Sequence, residues 1–393
     1  MNIRTFIILI LTLAVLGGLV VLNKRSEQAK LAAPPPSAER LLPPERLNDI
    51  ARFTVSVATE TVIVARAHDR WVVESLWNYP ANFEVVADNL RKLADVKCGE
   101  IIVNGMDRLE EFGLAPLTNS AVLAPANLAF YDAEGKELRK IGMGVPRMPK
   151  PTGGRPSFPE SAYVLLNDRE VRLVAAYMPG LPRSNDGWID RSVLAVPAED
   201  IDEVHVTLTN GASYGIIRKV DGTFSPDSLQ DNETINLDGA TALAGSLNQI
   251  NLSSVVDPAT PAEISGVDTP ATFQAKTRDG LVYTVKIGNA APERFGRYAR
   301  IDVAYEKPAP PPSPEAPIVT DTNAPVVDLV KAWEEKSTAD AARADAESKR
   351  LSPWTFILLE SDCRTMASPR DQVITAVTNA PAVSATETNS PAP

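Results

Sequence analysis

The sequence predicts an α+β protein. It reads as two tandem repeats, each a mostly antiparallel sheet with one main helix, after an N-terminal transmembrane helix. The first observation behind this is an internal echo. Ile50-x-x-Phe53-x-Val55 returns as Ile201-x-x-Val204-x-Val206, Arg66 and Trp71 as Arg218 and Phe224, and Gly113-Leu114 as Gly266-Val267. The period is roughly 150 residues, far beyond the ~20–50 of solenoid repeats. The second is the arrangement of elements: alternating strand runs gather around one helical stripe per repeat, without the βαβ alternation of a parallel sheet. The third is the uncharged apolar run from Phe6 to Leu22.

That run would extend roughly 26 Å at about 1.5 Å per residue, enough for a bilayer core. Leu19-Val20-Val21-Leu22-Asn23-Lys24 lacks an A-x-A-like cleavage site, which favours a retained signal anchor over residues 1–25. Arg4 precedes the span, and Lys24, Arg25 and Lys30 follow it, so charge alone does not orient it. Residues 26–46, with Pro34-Pro35-Pro36 and Pro43-Pro44, read as a semi-rigid stalk.

The first repeat is expected over residues 47–197. Phe53 to Val57, Thr61 to Arg66 and Arg70 to Glu74 read as strands. Asn82 is placed to cap a helix from Phe83 to Ala94, with Phe83, Val86, Leu90 and Leu93 along one stripe. Ala129 to Tyr131 and Leu138 to Gly142 flank a turn, and Ala162 to Leu166 pairs with Val171 to Val174 as a hairpin. The second repeat, 198–377, follows the same order. Ala240, Leu243, Leu247 and Ile250 match the helix stripe, and Ile287-Gly288 matches Ile141-Gly142. An insertion at 307–350 separates the last two strands. It is first proline-dense and then Ala- and charge-rich, and reads as a solvated excursion from a hairpin tip. Residues 378–393 have the composition of a disordered tail.

Net charge is −11, with 50 acidic against 39 basic residues, which opposes nucleic-acid binding. His68 and His205 have no Cys or Glu at metal-ligand spacing in the sequence, so no metal or cofactor is expected. None of G-x-S-x-G, Walker A, G-x-G-x-x-G and H-E-x-x-H occurs. Asp186-Gly187-Trp188-Ile189-Asp190-Arg191 could hold a cation, but reads more simply as punctuation between repeats. Cys98 and Cys363 are the only cysteines; they permit one disulfide, and two buried thiols is the simpler reading. Trp77 and Tyr79 stand before the first helix. They read either as a staple onto its start or as the contact for a partner or ligand.

Several segments together resemble the bacterial family known as domain of unknown function 4340. They are the anchor, Trp71-Val72-Val73, Tyr79-Pro80-Ala81, Leu90-Arg91-Lys92-Leu93, Glu111-Phe112-Gly113-Leu114-Ala115-Pro116, Ile141-Gly142, Ser161-Ala162-Tyr163-Val164 and Val171-Arg172-Leu173-Val174. The resemblance covers most of residues 1–305. It implies a single-span envelope protein, often encoded beside ABC-transporter components of the gliding-motility type, with its body on the periplasmic side of the cytoplasmic membrane. The family has no established catalytic residues, so the resemblance transfers none. The expectation is a non-enzymatic scaffold or transporter accessory with a protein partner. The alternatives are an envelope glycan-binding module and a carboxylate-based hydrolase.

Overall fold

The computed structural model describes residues 39–105, 108–114, 126–147, 161–174, 181–228, 232–310 and 329–376. The expected anchor, most of the stalk and the tail lie outside these residues. Among the described residues, no helix is long and apolar enough to cross a membrane. The chain divides into two compact units, Met1–Asp190 and Arg191–Pro393.

The first unit holds β1 (Arg52–Ser56), β2 (Thr61–Ala67), β3 (Arg70–Val73), β4 (Tyr79–Pro80), the helix Phe83–Asp95, β5 (Cys98–Asn104), β6 (Ala126–Tyr131), β7 (Glu137–Arg147), β8 (Ser161–Leu166) and β9 (Glu170–Val174). Its strands form one sheet in the order β4-β3-β2-β1-β6-β7-β8-β9-β5. Every pairing is antiparallel. Alternation puts Phe53, Val64 and Phe130 in one cross-strand row, and all three are buried. Trp188 closes this core edge-on to Phe53 at 5.1 Å.

The second unit holds β10 (Ser192–Leu194), β11 (Ile201–Thr207), β12 (Ser213–Arg218), β13 (Phe224–Pro226), β14 (Glu233–Ile235), the helix Leu237–Ala244, β15 (Ile250–Val255), β16 (Ala271–Thr277), β17 (Leu281–Ala291), β18 (Gly296–Tyr305), the helix Leu329–Leu351, β19 (Phe356–Leu359) and β20 (Ile374–Ala376). Its main sheet runs β10-β15-β19-β18-β17-β16-β11-β12-β13, and β14 pairs separately with β20. Read from the other edge, eight of its strands, β13-β12-β11-β16-β17-β18-β19-β15, repeat the first unit's β3-β2-β1-β6-β7-β8-β9-β5, while β4 and β10 have no counterpart strand in the other unit's sheet. Two mostly antiparallel sheets with few helices make the class α+β.

The repeats start earlier than the sequence indicates. Cys98 N–H donates to the Glu39 carbonyl as Leu252 N–H donates to that of Arg191, so each unit opens with a lead-in segment beside the strand that follows its helix, a single bridge at Arg40 in the first unit and β10 in the second. Residues 39–46, expected in the stalk, therefore belong to the body, with Leu41 and Leu42 buried. Glu39 holds this segment by pairing with Arg139 at 3.0 Å and Arg172 at 2.8 Å. The second unit begins at Arg191 rather than 198. This pairing joins residues far apart in sequence, and local patterning carries no trace of it.

Two registers are also corrected. Asn82 accepts from Val85 N–H and Asn236 from Gly239 N–H, so these asparagines are equivalent caps. Phe83 then matches Leu237 and Leu93 matches Leu247, one helical turn from the pairing the apolar spacing suggests. Ile250 falls in β15 instead. Burial agrees: Val86, Asn89, Leu90 and Leu93 are buried in the first unit, and Ala240, Leu243, Ala244 and Leu247 in the second. Likewise Gly144, not Gly142, corresponds to Gly288. Met143 pairs with Val164 and Pro146 with Ala162, as Ile287 pairs with Ala299 and Ala290 with Arg297.

The insertion is not a solvated excursion. Its helix Leu329–Leu351 packs on β17 and β18. It turns a narrow stripe inward, Ser337, Asp340, Ala344 and Leu351, all buried. Small side chains allow close approach without the broad apolar face that sequence patterning looks for. Ion pairs fasten one end: Lys336 to Asp279 at 2.5 Å and to Asp340 at 2.8 Å. Lys307 lies 4.0 Å over the Trp333 ring. At the other end, Arg350 donates to the Val193 carbonyl at 2.7 Å.

Candidate functional site

The two aromatics before the first helix separate. Tyr79 lies in β4 opposite Val73 and is 5% exposed. Its position is a packing one. Trp77 follows the short helix Glu74–Leu76 in left-handed backbone, φ 52, and Asn78 after it has φ 62. Such backbone costs non-glycine residues roughly 1–3 kcal/mol each. The turn holds the indole 38% exposed. Of the pair, Trp77 is the one available to a partner.

The Asp186–Arg191 segment acts in the core. Trp188 donates its indole N–H to the Pro182 carbonyl at 3.1 Å, and its own carbonyl accepts from Asn82 N–H at 2.7 Å. The segment ties the chain end of the first unit to the helix start, and the boundary between units follows at once.

His68 and His205 belong to different units. His205 lies on the outer face of β11, in a cross-strand row Gly215, His205, Gln274, Thr284 and Asp302. Its Nε2 meets Glu203 Oε1 at 2.6 Å, and its Nδ1 stands 3.9 Å from Asp227 Oδ2. Gly215 makes room for this ring: a Cβ there would fall 2.5 Å from Nδ1. Contrary to the sequence reading, which gave His205 no Glu at such a spacing, the alternation Glu203-x-His205 puts both on one face of β11; Asp227 arrives only through the β12–β13 pairing. Among the described residues, no three His, Cys, Asp or Glu side chains converge where a metal could sit.

Cys98 and Cys363 are free and buried, one in each unit. Burial pushes their thiols up, to about 11 for Cys98 and about 12 for Cys363, so neither is a ready nucleophile near neutral pH.

The repeated Arg-aromatic pair differs between units. Arg66 lies 5.3 Å over the Trp71 ring, and Arg218 lies 4.3 Å over Phe224. Arg218 also donates to the carbonyls of Ile201 at 2.8 Å, Gly222 at 2.9 Å and Ala198 at 2.5 Å. Arg66 makes no equivalent side-chain bond among the described residues. Two open cavities flank it instead. One of about 410 Å³ includes Asp49, His68, Asp132 and Glu134 in its wall. Asp49 there pairs with Arg46, and Asp132 accepts from the N–H groups of Glu134 and Lys136. The other, about 380 Å³, includes His68, Arg70, Trp71 and Phe83.

The pattern of the family described as "Domain of unknown function (DUF4340)" matches residues 71–270. The chain belongs to this family. The match begins at Trp71, inside the first sheet, and ends just before β16 of the second, so the DUF4340 pattern straddles the duplication. No curated protein and no solved structure matches the chain.

Proposed function

We propose that this DUF4340 protein is a non-enzymatic scaffold or accessory subunit of an envelope complex. It would be held in the cytoplasmic membrane by Phe6 to Leu22, with both units on the periplasmic side. The observation that carries this reading is the duplication itself. Each unit has its own sheet, helix and core, and the features that recur in both are ones that hold the fold: the asparagine caps, the glycines at 144 and 288, and the Arg-aromatic pair. A repeated structural frame with an individual surface on each copy suits a protein that presents contact faces. An ABC-transporter complex is the proposed partner, in keeping with the single-span envelope proteins this chain resembles.

Extraction in mild detergent followed by affinity purification tests the reading. Transporter subunits should co-purify with the full chain and crosslink to it in intact cells. Recovery of the chain alone under both conditions would sink it. N-terminal sequencing of the membrane-bound protein tests the anchor; a mature start near residue 26 would mean that the span is removed.

The exposed indole of Trp77 supports a second reading, a module that binds envelope glycan by stacking on a sugar ring. A glycan pull-down should then be lost in Trp77→Ala, with co-purification of proteins unaffected.

A further inference from the structure

We propose that the cavity beside Arg66 in the first unit binds an anionic group, a carboxylate or phosphate, carried on a small sugar-like ring. The inference stands apart from the scaffold reading and from Trp77, which does not line this cavity.

The repeat supplies an internal comparison. Arg66 and Arg218 hold the same register, each opposite its aromatic partner, Trp71 or Phe224. In the second unit each of the three guanidinium nitrogens donates to a backbone carbonyl. In the first unit those bonds are absent among the described residues, and the guanidinium borders open space. A planar guanidinium matches the geometry of carboxylate and phosphate oxygens. Arg70 shares the same wall and has no carboxylate partner among the described residues. Phe83, 62% exposed, offers a flat apolar face at the first residue of its helix. The positive end of that helix adds to the attraction for an anion. Asp69 is the opposing charge in the wall. The neighbouring cavity carries more acid, from Asp49, Asp132 and Glu134, and so the anion belongs on the Arg70 side. A volume of about 380 Å³ accommodates one such ring with its charged group.

The test is calorimetric titration of the full chain with glucuronate, with glucose 6-phosphate and with uncharged glucose. Saturable heat is expected from at least one of the two anions and none from glucose. Glucuronate binding alone would identify a carboxylate as the recognised group, and glucose 6-phosphate binding alone a phosphate; either supports the proposal. Arg66→Gln should weaken binding by about tenfold or more, because it removes charged hydrogen bonds. Phe83→Ala changes an exposed side chain, leaves the fold intact and should also weaken binding, so the site can be judged even if Arg66→Gln fails to fold. Arg91→Gln, at an exposed arginine of the same helix, should leave it unchanged. No saturable heat from either anion, equal heat from glucose, or anion binding intact in both Arg66→Gln and Phe83→Ala would overturn the proposal.

Discussion

Leu247 stands in the second unit where Leu93 stands in the first, at the same distance along the chain from the asparagine that caps its helix. Leu93 is 1% exposed and Leu247 fully buried, although Leu93 lies in regular α-helix and Leu247 in the 3-10 turn that follows a shorter one. The sheet therefore sets the burial position, and the helix adapts its last turn to reach it.

This equivalence predicts matched costs. Leu93→Ala and Leu247→Ala should each destabilise by ~2–5 kcal/mol, the usual range for a buried leucine that leaves a cavity. Arg91→Ala and Phe83→Ala, at exposed positions, should change stability by only about 0.5 kcal/mol. Denaturant melts of the full chain measure both, and a cost at Phe83 equal to that at Leu93 would restore the register that the apolar spacing suggests.

Gly144 and Gly288 should tolerate no side chain. A Cβ at 144 would lie 2.9 Å from the Phe112 carbonyl oxygen and 3.1 Å from that of Gly113. At 288 it would run into the Ser265 carbonyl and approach the Gly266 carbonyl carbon at 3.0 Å. Gly144→Ala and Gly288→Ala should each cost ~1–3 kcal/mol through forced backbone shifts. Gly245→Ala is the contrast, since its nearest neighbour is 3.6 Å away and its backbone is right-handed. That change should be neutral or stabilise by up to ~1 kcal/mol. Thermal melts that rank the three otherwise would contradict the close approach.

The docked helix Leu329–Leu351 carries a pH signature. The hydrogen bond from Lys336 holds the Asp279 carboxyl below its ordinary value of 3.8. A depressed folded value means that the stabilisation is complete above 3.8 and is lost as pH falls through the lower folded value. The pair is largely exposed, so its worth is ~0.2–1 kcal/mol. Asp279→Asn should remove this small difference near neutral pH and flatten the acid limb of the stability profile. Replacing residues 329–351 by a Gly/Ser turn should lower the melting temperature much more, because it uncovers the face of β17 and β18 on which the helix packs. An unchanged melting temperature would return the helix to the solvated role its sequence suggests.

Both thiols should resist modification. Burial raises Cys98 to about 11 and Cys363 to about 12, so a thiol reagent at pH 8 should label neither in the native chain. Both should react once guanidinium unfolds it, with no reductant added. A mass showing two unlabelled sulfurs after unfolding would mean that a disulfide forms.

The sequence by itself determined the two-repeat plan, most strands of the first sheet and the asparagine cap at 82, because alternation and capping are written within a few neighbouring residues; β5, β10 and β15 were not legible in it. It also marked Trp71 and Phe224 as equivalent positions of the two repeats. Only the tertiary structure decided the rest. The lead-in segments at Glu39 and Arg191 depend on hydrogen bonds to partners far along the chain. The one-turn shift of the second helix depends on which side chains the sheet can bury. The docking of Leu329–Leu351 rests on small residues whose composition resembles that of a solvated helix. The same limit applies to the candidate sites. Two arginines at one repeat position look alike in sequence, yet Arg218 is clamped by three carbonyls and Arg66 borders a cavity. That difference arises from the backbone that surrounds each guanidinium, which distant parts of the chain bring into place.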